Sequence, residues 1–208
     1  MKKIALSVHA GENFSIEALK GLTDIDFIHI DVMDGLFVDN VNLNLDIFKI
    51  IKKKSNIPII AHMMVVNPSY YVPKIINYID AFLFHFEVEE DKLKVIHQVR
   101  KYNKKVGLVL NPETKVTEIA SYLNYVDLFL ILGVHPGWSG QKFIPDTINK
   151  VNKLASYKQN YNFEIDVDGG INLKVAKLLK NADILTSSTT ILNAKDPNRV
   201  VSLLKNFD

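Results

Sequence analysis

The sequence predicts a single (β/α)8 barrel over residues 1–208. Three observations carry this reading. Short apolar runs rich in β-branched residues alternate with amphipathic helical stretches, eight times over in 208 residues. The connections are short, and no linker-like or low-complexity stretch interrupts them. Polar residues end many different strands instead of one. Alternating strands and helices imply a parallel sheet, and eight units in this length suit a compact barrel. The rival is an open doubly wound sheet, which places its ligand at one topological switch point. That arrangement favours a glycine-rich turn after the first strand, and the chain has none.

The elements follow in order. Residues 4–8 read as the first strand, and 15–20 as a helix with Ser15 as N-cap. A strand over about 25–31 precedes a loop and a helix at 45–54, apolar inside and lysine-rich outside. Residues 58–64 are a strand, and 67–78 a helix with an irregular first turn at Pro73. Strand 81–87 is followed by helix 91–102, with Leu93, Ile96, Val99 and Arg100 at helical spacing. Strand 105–110 stops at Asn111-Pro112, and 114–123 is predicted helical. Strand 126–132 leads into a long loop and then a helix over 145–157. Strand 163–168 ends at Gly169-Gly170, and a helix follows at 173–180. The last strand is 183–186, and helix 197–205 closes the chain.

Composition narrows the function. At 48% hydrophobic and 23% charged residues the balance is globular, and a net charge of +2 gives no electrostatic case for nucleic acid. The absence of cysteine excludes a disulfide framework and any thiolate metal site, and it fits a cytoplasmic setting. No apolar run reaches membrane-spanning length. The N-terminus has two lysines and a short apolar run but no cleavage-site pattern, so it reads as the first strand and not as a signal peptide.

The chemistry starts at residues 27–35. His29 and Asp31 share one face of a strand whose other residues are core-like. A buried carboxylate is costly unless it is paired or bound to a metal. A strand end whose histidine and aspartate simply bond each other is the competing reading. In a barrel, however, the C-terminal strand ends converge on one face. That brings His62, near the end of the third strand, and Asp168, ending the seventh, toward His29 and Asp31. Two histidines and two carboxylates suit one divalent ion, and mixed nitrogen and oxygen donors favour Zn, Mn, Fe or Co over Ca or Mg. A second cluster lies in the loops after strands six, seven and eight: Gly137, Trp138, Ser139 and Gly140; Gly169 and Gly170; Ser188 and Thr189. Neighbouring glycine loops let backbone N–H groups approach a phosphate, as barrels commonly arrange there. The nucleotide P-loop spacing is absent.

Five motifs carry a resemblance along nearly the whole chain. They are His29-Ile30-Asp31-Val32-Met33-Asp34-Gly35, Ala61-His62-Met63-Met64, Leu110-Asn111-Pro112-Glu113-Thr114, Pro136-Gly137-Trp138-Ser139-Gly140-Gln141 and Val167-Asp168-Gly169-Gly170-Ile171. In this order they resemble the ribulose-phosphate 3-epimerase family. The resemblance implies a ribulose-phosphate binding type of barrel and a metal-dependent sugar-phosphate epimerase. It would interconvert D-ribulose 5-phosphate and D-xylulose 5-phosphate through an enediolate, in the pentose phosphate pathway. By carry-over, His29, Asp31, His62 and Asp168 hold the ion, and Asp31 and Asp168 are the acid/base pair on opposite faces. Ser7 and His62 touch substrate near the ion, the glycine loops with Ser188 and Thr189 hold phosphate, and Met33, Met64 and Leu132 form an apolar wall. A homo-oligomer is implied as well. The expected partner is a small ketose phosphate, with neither nucleic acid nor membrane.

Several positions depart from the family's usual text. Leu6 stands where proline commonly precedes Ser7, and His9 follows where leucine is usual. Asp39 replaces a proline, Ile60 an aspartate, Leu132 a methionine, and Ser188 a glycine. These changes spare the ligand and acid/base positions. They leave open allulose-6-phosphate 3-epimerase or a related ketose-phosphate epimerase, and a non-catalytic sugar-phosphate binding barrel.

Overall fold

The computed structural model describes residues 1–9, 19, 21–138 and 140–207. The helix expected at 15–20 and the expected contact from Ser139 therefore lie outside the described residues, apart from Leu19. The strands are β1 (Lys3–His9), β2 (Phe27–Asp34), β3 (Val41–Asn42), β4 (Ile59–Met64), β5 (Ala81–His85), β6 (Lys105–Leu110), β7 (Leu128–Leu132), β8 (Glu164–Asp168) and β9 (Ile184–Ser187). All except β3 pair in parallel, and β1 pairs with both β2 and β9, which closes the sheet into a (β/α)8-type barrel. β3 was not expected. It pairs antiparallel with the end of β2, Met33 opposite Asn42, and folds the loop after β2 over the barrel mouth.

Strand alternation sorts the core into two layers. Ala5, Ile60, Leu83, Val109, Leu130 and Ile184 fill the barrel interior. Their neighbours, such as Ile4, Ile59, Phe82, Leu108, Phe129 and Leu185, face outward into the larger core under the helices. Gly107 makes room inside: a Cβ there would lie 2.6 Å from both the Leu128 carbonyl oxygen and Leu83 Cδ2. At the N-terminal end Glu164 closes the barrel by pairing with Lys3 (2.5 Å) and Lys105 (3.1 Å). The polar interior residues lie at the other end, and that asymmetry marks the site.

The helices are α1 (Asp46–Lys54), α2 (Pro68–Ile75), α3 (Lys92–Arg100), α4 (Thr147–Ser156), α5 (Leu173–Ala176), α6 (Thr189–Leu192) and α7 (Pro197–Lys205). α1 buries Ile47, Phe48 and Ile51 and turns Lys52, Lys53 and Lys54 outward. α2 opens on Pro68, where the missing N–H costs nothing, and tightens into a 3₁₀ turn at Ile76–Tyr78. Asp91 caps α3 by accepting from the N–H groups of Leu93 and Lys94. Its buried face is Val95, Ile96 and Val99, which corrects the expected Leu93–Arg100 stripe.

Three further expectations need correction. The helix expected at 114–123 is a 3₁₀ helix over Val116–Tyr122. Its β-branched Val116, Thr117 and Ile119 lose side-chain freedom in a regular α-helix, which lowers the cost of the tighter form. The helix expected to reach Lys180 stops at Ala176. Buried Lys2 takes the carbonyls of Lys180 and Ala182 at 2.9 and 2.8 Å, holding that stretch against the foot of β1. The residues after β9, expected as loop, wind into α6. Among the described residues no helix is long and apolar enough to cross a membrane.

Candidate active site

The parallel register assembles the site. It sets Asp31 between His9 and His62, and Asp168 between Leu132 and Thr186. β1 and β9 separate β2 from β8 around the barrel, so Asp31 and Asp168 approach from different sides. Even so, His29, Asp31, His62 and Asp168 each offer a ligand atom within 4.8 Å of all the others. The four residues expected to cluster do cluster.

Asp31 is the hub. Ser7 Oγ donates to its Oδ2 at 2.9 Å, and His62 Nδ1 lies 2.8 Å from Oδ1. His29 Nε2 is 3.3 Å from Asp31 Oδ1 and 3.8 Å from Asp168 Oδ2. That is ion-pair range, yet neither nitrogen of this fully buried ring has a hydrogen-bond partner among the described residues. A buried polar group without one costs about 1–3 kcal/mol. A cation between His29 and the two carboxylates would engage it, so the residues fit a metal.

The charges are set unequally. Burial pushes the Asp31 carboxyl up, but the neighbouring His29 and His62 rings outweigh it and hold the group well below the usual carboxylate range. Burial dominates at Asp168; His29 offsets it only partly, while Asp31 and Asp166 add repulsion, and the pKa rises to about 7. Burial opposes charge on His29, but Asp31 first, then Asp168 and Asp166, lift it to about 9. His62 falls to about 4, chiefly through burial, with Asp31 resisting and His85 and His29 contributing. A bound cation adds its own pull on both carboxylates.

Asp166, one inward position below Asp168, is fully buried, and the Thr186 hydroxyl lies 2.9 and 3.0 Å from its two oxygens. Burial, only partly offset by His29 and Thr186, raises its pKa to about 6. The folded state therefore holds this proton above the unfolded pKa of 3.8. Its stabilising contribution is complete below that value and is lost as pH rises through about 6. Asp166→Asn is expected to flatten this part of the stability–pH profile, by up to about 3 kcal/mol between pH 4 and 7, in urea melts at each pH. Parallel profiles for the two proteins would refute the assignment.

Above the cluster opens a cavity of about 250 Å³. Asp31, His62, Asp168 and Ser7 form part of its floor, and Met33, Met64 and Leu132 form an apolar wall. Gly137, Trp138, Gly140, Gly169, Gly170, Ser188 and Thr189 line it as well. Gly169 has φ +100°, and a Cβ there would lie 2.6 Å from Val134 Cγ2, so this close backbone turn needs glycine. His29 does not line the cavity; it sits beneath Asp31.

Sequence reasoning missed three groups. His9 lines the cavity with Nδ1 at 3.8 Å from Asp31 Oδ2. His85 and Glu87 lie behind His62, with His62 Nε2 3.0 Å from His85 Nε2 and His85 Nδ1 3.3 Å from Glu87 Oε2. The signal for His85 was strand parity, since it follows Ala81 and Leu83 on the inward face. Gln141 also lines the cavity, and its amide ties the carbonyls of His135 (2.7 Å) and Trp138 (2.8 Å).

A closed parallel barrel with a cluster of histidines and aspartates at its C-terminal mouth defines a (β/α)8-barrel enzyme. Comparison with known proteins narrows the class. Residues 3–192 match the pattern described as the ribulose-phosphate 3 epimerase family. The chain is 33% identical to ribulose-phosphate 3-epimerase of Aquifex aeolicus, over 100% of this chain and 97% of that one. The Methanocaldococcus jannaschii enzyme of the same name is 35% identical, covering 87% and 79%. The Schizosaccharomyces pombe enzyme is 30% identical, covering 98% and 92%. The chain belongs to the ribulose-phosphate 3-epimerase family and is an isomerase. Solved structures share the barrel alone: KGPDC from Streptococcus mutans (TM-score 0.74, 14% identity, covering 100% and 97%) and orotidine 5'-phosphate decarboxylase from Pyrococcus horikoshii (TM-score 0.70, 17%, covering 98% of each).

Proposed function

We propose that the protein is a metal-dependent 3-epimerase interconverting D-ribulose 5-phosphate and D-xylulose 5-phosphate. The observation that carries this is the pairing of Asp31 and Asp168 from opposite sides of one buried cluster at the cavity floor. His29, Asp31, His62 and Asp168 would hold one divalent ion, of Zn, Mn, Fe or Co type by donor chemistry. Bound there, the ion supplies Lewis-acid stabilisation of the negative charge that develops on the substrate oxygens.

The chain's own residues do the rest. The loops with Gly169, Gly170, Ser188 and Thr189 hold the phosphate end, and the serine and threonine hydroxyls can donate to it. With the phosphate anchored, C3 lies between the two aspartates. One carboxylate takes the C3 proton, leaving a planar enediolate. The other delivers a proton to the opposite face, which inverts C3. Asp31, held ionised, is free to take a proton, while Asp168, raised by burial, can hold the one to be delivered. For the reverse reaction they exchange roles. Ser7 fixes the orientation of Asp31, and Met33, Met64 and Leu132 keep water from the reacting face.

The test is turnover of ribulose 5-phosphate, coupled to detection of xylulose 5-phosphate, before and after chelation and with each ion added back. Loss on chelation and recovery on add-back is the expected result. Binding of the sugar phosphate without turnover by any ion-loaded sample would overturn the reading in favour of a binding barrel. Trp138, 63% exposed at the cavity rim, gives an independent check. Its fluorescence is expected to change on saturation with a ketose phosphate; an unchanged spectrum would place it outside the binding site.

A further inference from the structure

Behind the cluster lies a second layer of polar groups that the reaction does not touch. His85 is fully buried at the end of β5, with the Phe37 ring 4.5 Å from its own. Its ring and that of His62 are inclined by only 21°, with centroids 5.1 Å apart, and they meet through the two Nε2 atoms. On its far side His85 Nδ1 faces Glu87 Oε2 at 3.3 Å. Glu87 is itself fixed: its Oε1 accepts from the Asn111 N–H at 2.8 Å and from the Thr114 hydroxyl. Asp31, His62, His85 and Glu87 thus form one line of contacts running away from the cavity.

Only some proton placements are compatible with this line. An ionised carboxylate accepts and cannot donate. Glu87 is held ionised: burial raises its pKa, but His85, Thr114 and Asn111 together lower it below the usual value. His85 must then present Nδ1–H to Glu87. When that is the ring's one hydrogen, its bare Nε2 accepts. An ion bound at His62 Nδ1, the nitrogen that faces Asp31, leaves the ring hydrogen on Nε2, where His85 Nε2 can accept it. That is the form in which His62 can ligate an ion.

We infer that His85 and Glu87 are positioning residues that fix the tautomer and ring plane of His62, so that Nδ1 is presented to the ion. This rests on the metal reading of the cluster given above. Neither residue touches substrate. A carboxylate orienting a ligand histidine directly is a familiar arrangement; here the carboxylate acts through a second histidine.

Glu87→Gln tests the inference with almost no change of shape. A glutamine that keeps its oxygen toward Asn111 and Thr114 turns its NH₂ to His85. Nδ1 of His85 must then accept, its hydrogen moves to Nε2, and His62 is left with hydrogen on Nδ1. The alternative amide orientation sets NH₂ against the Asn111 N–H. Zn²⁺ affinity is measured by competition with a chromophoric chelator, and the ring hydrogens by nitrogen-15 correlation spectra of the Zn²⁺-loaded proteins. The wild type is expected to show His62 with Nε2–H. Glu87→Gln should bind Zn²⁺ about 10–100-fold more weakly, with the His85 hydrogen moved to Nε2. Thr114→Val removes another bond to Glu87 without facing His85 and should stay near wild-type affinity. Unchanged affinity in Glu87→Gln overturns the inference. Equal weakening in Thr114→Val also does, because the effect would then be packing. The wild-type spectrum is decisive without any variant: His62 carrying hydrogen on Nδ1 in the Zn²⁺-loaded protein refutes the assignment. A wild type that takes up no Zn²⁺, Mn²⁺, Fe²⁺ or Co²⁺ refutes the metal reading itself, which is a distinct outcome.

Discussion

Asp168→Asn is expected to lower kcat by about 10²–10⁴-fold, the usual contribution of a positioned acid or base. Asparagine keeps the shape and can neither take nor deliver the C3 proton. Asp168 is only 18% exposed, with Leu132 and Thr186 flanking it on the neighbouring strands. Asp31→Asn should lose as much turnover and also weaken the ion, since Asp31 contacts both histidines of the cluster. The two variants separate by solvent exchange. With Asp168 gone, Asp31 can still abstract from its own face, so C3 exchange should persist for one epimer and vanish for the other. Exchange lost equally from both epimers in Asp168→Asn would contradict the two-face assignment. Steady-state kinetics and proton spectra in deuterated buffer read both quantities.

Loading the chelated protein with its ion is the second large effect. An ion that binds only the folded state stabilises it by about 4 kcal/mol at a thousandfold excess over Kd. For a chain of this size that is a rise in Tm of roughly 10 °C. His29 makes the prediction specific, because it has no hydrogen-bond partner among the described residues and lies outside the cavity lining. His29→Leu should fold, leave the substrate pocket lined as before, and lose most of the ion-dependent shift in scanning calorimetry. A full shift in that variant would move the ion away from the cluster.

Much of the barrel and its site is legible in the amino-acid sequence. Strand parity alone puts His29 with Asp31, and the eightfold alternation turns scattered strand ends into one mouth. His29, Asp31, His62 and Asp168 meet as expected because a closed parallel barrel leaves their side chains little choice of direction. What stays hidden is relational. The sequence shows Glu87 two residues after His85, but not that it turns back to His85 while also holding Asn111 and Thr114. His9 reads as a motif departure, yet it lines the cavity, because β1 pairs it with Asp31. The 3₁₀ form of Val116–Tyr122 and the short β3 hairpin depend on small local preferences that apolar periodicity does not record. Beyond the helix end at Ala176, the carbonyls of Lys180 and Ala182 are held by Lys2, a partner at the far end of the chain.

Proton removal and return at C3, by two aspartates on opposite faces of an ion-dependent site, leaves an isotopic trace. The decisive experiment incubates the ion-loaded protein with ribulose 5-phosphate in deuterium oxide and reads the product by proton and carbon spectra. The expected product is xylulose 5-phosphate carrying deuterium at C3, formed only when the ion is present. Product that retains its C3 hydrogen, or no product from any ion-loaded sample, would contradict this chemistry.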